Sequence, residues 1–172
     1  MDGTPLEFSI RVARPEDAAS IAGVHVTSWR QAYSGVIPDT YLSGIDVAER
    51  AVRWSRELAS PTHRTWVATT GASAVVGFAS LGESRDEDAG RLTLELLTLY
   101  LHPQVWGRGV ARALMRTVID HVPAANDVTL WVLADNDRAR QFYRRHGFSE
   151  DGVERMATFD NTDVLELRYR RK

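Results

Sequence analysis

Three short segments carry residue types whose spacing could do chemistry. The first is Leu92-Thr93-Leu94-Glu95-Leu96-Leu97-Thr98-Leu99, a largely apolar run holding one carboxylate. Burial in such a run disfavours the charged form and moves a carboxyl toward neutrality, which suits a general base near pH 7. A glutamate at a sheet surface or strand end, paired with an arginine, fits the same residues. The second is Gly107-Arg108-Gly109-Val110-Ala111. Glycines at a strand-to-helix junction let the backbone turn tightly and approach a ligand without Cβ clashes. The free N–H groups of the first helical turn and the helix dipole then favour a diphosphate. A tight turn with no ligand is the plainer alternative, since neither GxGxxG nor a P-loop Lys-Ser/Thr is present. The third runs from Asn136 to Phe148. Asn136 or Asp137 can cap a helix, and Gly147 can end it in the left-handed conformation. Ala139, Phe142, Tyr143 and His146 share one face, where Tyr143 could donate a phenolic proton or simply pack in the core.

These segments need elements to position them. Residues 7–13 alternate apolar and polar, as a first strand does. Pro15, Glu16 and Asp17 open a helix. Its stripe is Ala18, Ile21, Ala22, His25, Trp29, Ala32 and Tyr33, and 34–38 break it. Asp46 with Glu49 opens a second helix in the manner of a capping box. Residues 64–70 and 74–82 read as strands joined by a turn at Gly71-Ala72-Ser73. A charged loop, 83–91, leads to a long strand, 92–102. A helix from about Gly107, a strand at 127–134, a helix at 137–146 and strands at 148–154 and 162–170 complete the chain. The order β-α-α-β-β-β-α-β-α-β-β implies an α/β fold, a mixed sheet with helices on its faces.

Composition narrows the function. The 172 residues suit a single domain, 1–172, with residues 1–6 expected to be flexible. A net charge of −2 gives no reason to expect nucleic acid. With no cysteine there is no disulfide, thiolate metal site or cysteine nucleophile. No apolar run reaches the roughly 18 residues that span a bilayer. No secretory signal opens the sequence, so a cytoplasmic protein that does not engage membranes is the expectation. The histidines lack a metal-ligand spacing with carboxylates, so no metal is expected.

Taken together, the motifs resemble those of the Gcn5-related N-acetyltransferase (GNAT) superfamily. The family's Gln/Arg-x-x-Gly-x-Gly/Ala motif has its counterpart in Trp106-Gly107-Arg108-Gly109-Val110-Ala111. Gly109 and Ala111 match; Trp106 departs from the pattern at a position that acts in the family largely through its backbone N–H. Asn-x-x-Ala-x-x-Phe-Tyr-x-x-x-Gly-Phe is complete in Asn136, Ala139, Phe142, Tyr143, Gly147 and Phe148. The element order resembles the family's over nearly the whole chain, and Ser28–Pro38 looks like bacterial members of unassigned substrate. The resemblance implies a mostly antiparallel sheet splayed between its fourth and fifth strands, with helices on both faces.

The same resemblance implies direct transfer of acetyl from acetyl-CoA to a primary amine of a small molecule or peptide. Leu99, Tyr100 and Leu101 would pair with the pantetheine arm as an open strand edge. The pyrophosphate would rest on the amides from Gly107 to Ala111, and Asn136 would touch the arm. Glu95, four residues before Leu99, matches the position of the glutamate base in some members. Tyr143 matches the tyrosine that protonates the departing thiolate. Homodimers are frequent in the family. A different acyl-CoA donor, or a CoA-binding sensor without turnover, stays open. For the acceptor, Trp29 and Tyr33 continue one aromatic strip from His25 at four-residue spacing and could hold a cationic or planar group, or pack as core. The acidic loop Glu83–Asp88 and the cluster Arg168, Arg170, Arg171 and Lys172 read as solvated surface.

Overall fold

A computed structural model of the protein describes residues 6–71 and 73–172. The expected flexible start falls, apart from Leu6, outside the described residues, as does Ala72 of the first hairpin turn. The seven strands are β1 (Ser9–Val12), β2 (His63–Thr70), β3 (Ala74–Glu83), β4 (Thr93–Leu101), β5 (Asp127–Leu133), β6 (Ser149–Phe159) and β7 (Thr162–Arg171). They form one sheet in the order β1-β2-β3-β4-β5-β7-β6. Every pairing is antiparallel except β4 with β5. The helices are α1 (Ala18–Ala32), α2 (Asp39–Gly44), α3 (Val47–Ala59), α4 (Val110–Asp120) and α5 (Asp137–Arg145). Among the described residues no helix is long and apolar enough to cross a membrane.

Strand alternation divides the core between the two faces. Val67 and Phe78 turn toward α1 and α3, where Ala18, Ile21, Ala22 and Trp54 cover them. Trp66, Ala68, Ala79 and Leu81 turn the other way, onto Leu114, Met115 and Val118 of α4. Each fully buried aliphatic side chain contributes about 1.5–3 kcal/mol. A third, smaller cluster joins Ile37 and Leu42 to Leu133 and Val164, closing α2 over the ends of β5 and β7.

The caps follow from sequence. Asp46 Oδ1 accepts the Glu49 N–H at 2.8 Å, as the capping-box pair implies. The carboxylate of Asp17 takes the Arg14 N–H at 2.7 Å and pairs with both terminal nitrogens of Arg11, fixing the entry to α1. Two elements differ from expectation. The short α2 was not foreseen, because six residues are too few to show helical periodicity. Strand β6 runs five residues past the expected end at Glu154 to Phe159. It is a largely exposed edge strand, so burial imposes little alternation on its sequence.

The sheet's departure from regularity creates the site. β4 and β5 pair only through Thr93↔Asp127, Leu94↔Val128 and Glu95↔Thr129. Beyond Glu95 the two strands part. The register of β3 on β4 shifts there too: Ser80 faces Thr98, but Leu81 faces Leu96, leaving Leu97 as an extra residue. Such a bulge bends a strand and increases its twist, which turns β4 away from its parallel neighbour. Gly82 makes room for it, since a Cβ there would lie 3.1 Å from Leu97 Cδ1 and 2.5 Å from His63 Cδ2.

Candidate active site

The fork between β4 and β5 opens into a cavity of about 1070 Å³. Its walls bring together Trp29, Tyr33, Leu99, Tyr100, Leu101, Trp106, Gly107, Gly109, Ala111, Asn136 and Tyr143 from the sequence-derived set. Three others are not on the walls. Arg108 lies outside the lining, and Val110 is fully buried in the main core, leaving only its backbone for a ligand. Glu95 lies in the closed part of the fork, 5 % exposed, between Gly82 and Thr129. Its Oε2 accepts the Arg85 backbone N–H at 3.2 Å, and Arg85 Nη2 stands 3.6 Å from Oε1. The carboxylate therefore ties the 83–91 loop to the fork's base, the arginine-paired arrangement that the sequence had left open.

One end of the cavity is built from backbone donors and cations. Gly107 and Gly109 have φ of +76° and +87°, left-handed values that suit glycine. The first α4 turn to find a backbone acceptor is Ala113, whose N–H donates to Gly109 O at 3.1 Å. The N–H groups of Gly109 to Arg112 precede that bond and are open to an anion. Arg112, in the first turn of α4, and Arg138, over the Trp106 ring, stand beside this turn, and Arg145 of α5 also lines the cavity. Trp106 has a different part from the one expected. Its backbone N–H donates to Pro103 O at 3.1 Å, which removes it from any phosphate contact. Its indole N–H donates to Leu101 O at 3.0 Å, and its ring carries the Arg138 guanidinium at 4.5 Å. The departure from the motif thus fixes the end of β4 and holds a cation beside the glycine turn.

Above the fork, the edge of β4 from Leu96 to Leu101 has no partner strand on its β5 side. An extended chain can add there by main-chain hydrogen bonds. The residues present fit a diphosphate bearing an extended amide arm. Two buried side-chain groups on the same walls, Trp29 Nε1 and Thr98 Oγ1, have no hydrogen-bond partner among the described residues. Asn136 Oδ1 is committed to capping α5 through the Ala139 N–H at 3.1 Å, so only its amide NH₂ is free for a ligand.

The opposite end is aromatic. Trp29 meets Tyr33 edge-on at 5.2 Å and Phe159 at 5.9 Å. Arg30 pins this wall: its Nε donates to Leu42 O at 3.0 Å and its Nη2 to Ile45 O at 3.1 Å, tying α2 to α1. His25, the first residue of the strip, belongs to the core instead, stacked on Tyr100 at 4.9 Å. Burial, followed by the Arg50 charge, pushes its pKa down to about 3, so the ring is neutral. Burial raises the phenols of Tyr33, Tyr100 and Tyr143, so all three stay protonated through neutral pH.

Trp131, Phe159 and Glu166, which sequence reasoning passed over, also line the cavity. Leu165-Glu166-Leu167 alternates, which signals a carboxylate opposite the core face, but not what faces it. The terminal basic cluster also differs from expectation. Arg168 is 3 % exposed and enclosed by Asp86, Asp88 and Asp151. Asp86 also accepts the Trp131 indole N–H at 3.0 Å. The acidic loop is clamped onto β5 and β7 rather than solvated, because the arginine needs its charge compensated once buried.

Comparison with known proteins agrees with this geometry. The Acetyltransferase (GNAT) family matches residues 27–148. The uncharacterized N-acetyltransferase YuaI of Bacillus subtilis (strain 168) is 33% identical over 167 residues, 94% of this chain and 88% of that protein. The N-alpha-acetyltransferase RimI of Mycobacterium tuberculosis is 36% identical over 102 residues, 59% of this chain and 62% of its own. Among solved structures, the PaiA N-acetyltransferase of Thermoplasma acidophilum in complex with coenzyme A superposes with a TM-score of 0.74 at 20% identity, over 97% of this chain and 99% of that one. YncA, a putative acetyltransferase from Salmonella typhimurium with its cofactor acetyl-CoA, gives 0.70 at 20% identity, over 95% and 92%. The chain, with its forked mixed sheet and glycine turn, belongs to the GNAT family of acetyltransferases.

Proposed function

We propose that this protein transfers an acetyl group from acetyl-CoA to the primary amine of a small molecule or peptide. The observation that carries the reading is the fork itself: an open β4 edge leads to a donor-rich helix start, with Tyr143 on the wall of the same cavity. Acetyl-CoA supplies an activated acyl group as its thioester; a cationic acceptor and the thioester become an amide, a free thiol and one proton. The backbone of Leu99 to Leu101 orients the extended arm, and the N–H groups from Gly109 to Arg112 bind the diphosphate. Arg112, Arg138 and the Trp106 ring beneath Arg138 hold the charged end at the mouth. Tyr143 keeps its proton at working pH and delivers it to the departing sulfur, a role contributing on the order of 10²–10⁴ in rate. Glu95 holds the base of the fork shut through Arg85.

Thiol release from acetyl-CoA across a broad amine panel tests the reading. Turnover with acetyl-CoA and at least one amine is expected. Turnover only with propionyl- or succinyl-CoA would assign a different donor. Tight CoA binding with no thiol release for any donor and amine would make the protein a sensor.

A further inference from the structure

The charges on the cavity wall are divided. Arg112 and Arg138 stand with the glycine turn, while Glu166 is the one carboxylate among the described lining residues. Its neighbour Leu167 is buried in the main core, so by alternation Glu166 turns to the opposite face of β7, beside Leu133. The side chain is 16% exposed. Its Oε2 accepts from Arg155 Nε, and among the described residues nothing donates to Oε1. Arg155 is itself half-exposed and lies over the Trp131 ring at 4.1 Å. Glu166 reaches the aromatic wall electrostatically: after burial and the neighbouring tyrosines, its charge helps raise Tyr33, and it acts in the same direction on Tyr100.

We propose that Glu166 receives the acceptor's ammonium through Oε1, with Trp29, Tyr33 and Phe159 enclosing its apolar body, so that the acceptor is a cationic amine on a flat or aliphatic frame without an anionic group beside the nitrogen. A carboxylate largely withdrawn from water attracts a cation more strongly than an exposed one, and aromatic faces add to that attraction. An anionic group near the amine would meet Glu166 itself. The cationic end of the cavity repels the ammonium, so donor and acceptor enter in one relative orientation. Arg155 lowers the net field at Glu166 and thereby limits the affinity.

This inference rests on the acetyl-CoA reading, and its test separates the two. CoA affinity is measured first by calorimetry for the wild type, Glu166→Gln and Arg155→Gln; failure of the wild type to bind CoA sinks the underlying reading. The CoA complexes are then titrated with 2-phenylethylammonium, its neutral isostere 2-phenylethanol and anionic phenylacetate. The wild type is expected to prefer the ammonium over the alcohol by at least tenfold and to reject phenylacetate. Glu166→Gln should erase that preference with CoA affinity unchanged, and Arg155→Gln, a change at a half-exposed site, should enlarge it. Equal binding of ammonium and alcohol by the wild type overturns the proposal. So does a preference that survives in Glu166→Gln or shrinks in Arg155→Gln.

Discussion

Acidification should weaken this fold through His25, by an amount that can be worked from the structure. The imidazole is 7% exposed on α1, stacked on Tyr100 at 4.9 Å, with Phe78 and Trp54 around it. Trp54 Nε1–H donates to His25 Nδ1 at 3.1 Å, so the neutral ring carries its proton on Nε2. Protonating Nδ1 would set two donors against each other in a buried site. The folded pKa is therefore down at about 3, against 6.5 for the free side chain. The unfolded chain takes up the proton at the higher pH. The stabilisation is thus complete above pH 6.5 and is lost as pH falls toward the folded value. At about 1.36 kcal/mol per unit, the loss between pH 7 and pH 5 is about 2 kcal/mol. The assay is urea unfolding followed by tryptophan fluorescence from pH 5 to 8, for the wild type and His25→Gln, which keeps an acceptor for Trp54. Carboxylates common to both proteins cancel in the difference, so the wild type should lose about 2 kcal/mol more than the variant. Parallel curves would refute the reasoning, because they would mean that His25 takes up its proton equally in both states.

Other perturbations test the site and its supports. Tyr143→Phe should lower kcat by about 10²-fold or more while CoA affinity, read by calorimetry, stays constant. Gly109→Ala has open space for its Cβ but must hold φ near +87°, at a cost of about 1–2 kcal/mol. Thermal unfolding should report that loss, and CoA affinity should fall with the displaced N–H groups; an unchanged affinity would separate this turn from the diphosphate. Arg168→Met removes the cation that Asp86 and Asp88 share and leaves Asp151 with Arg170 alone. Its urea midpoint should drop by the equivalent of about 3 kcal/mol, and a neutral result would mean that the loop relaxes into solvent.

The legibility of the molecule varied with the range of the forces involved. Gly107, Gly109 and Gly147 mark left-handed turns whose requirement is local, and each has positive φ. Asp46 and Asn136 cap helices through hydrogen bonds three residues away, so their roles too are written in adjacent residues. Glu95 shows where that reasoning ends. An apolar strand implies burial, and Glu95 is buried, but only the pairing of β4 with β5 decides that it lies in the fork's closed base. The basic end of the chain departs from the solvated expectation because an arginine's solvation depends on what folds over it. Arg168 and Asp86 are 82 residues apart in sequence yet share a hydrogen bond.

By itself, then, the sequence determined the element order apart from α2, the glycine turn, the tyrosine on α5 and the motifs that mark the family. Periodicity, capping and backbone strain act over a few residues and leave their record there. The tertiary structure decided how the cavity's charges are shared out. Arg112 of α4 and Arg138 of α5 stand by the glycine turn, while Glu166 of β7 lies within electrostatic reach of Tyr33 at the end of α1. Field and desolvation depend on distance in space, and these side chains become neighbours only when the sheet closes below Glu95 and opens above it.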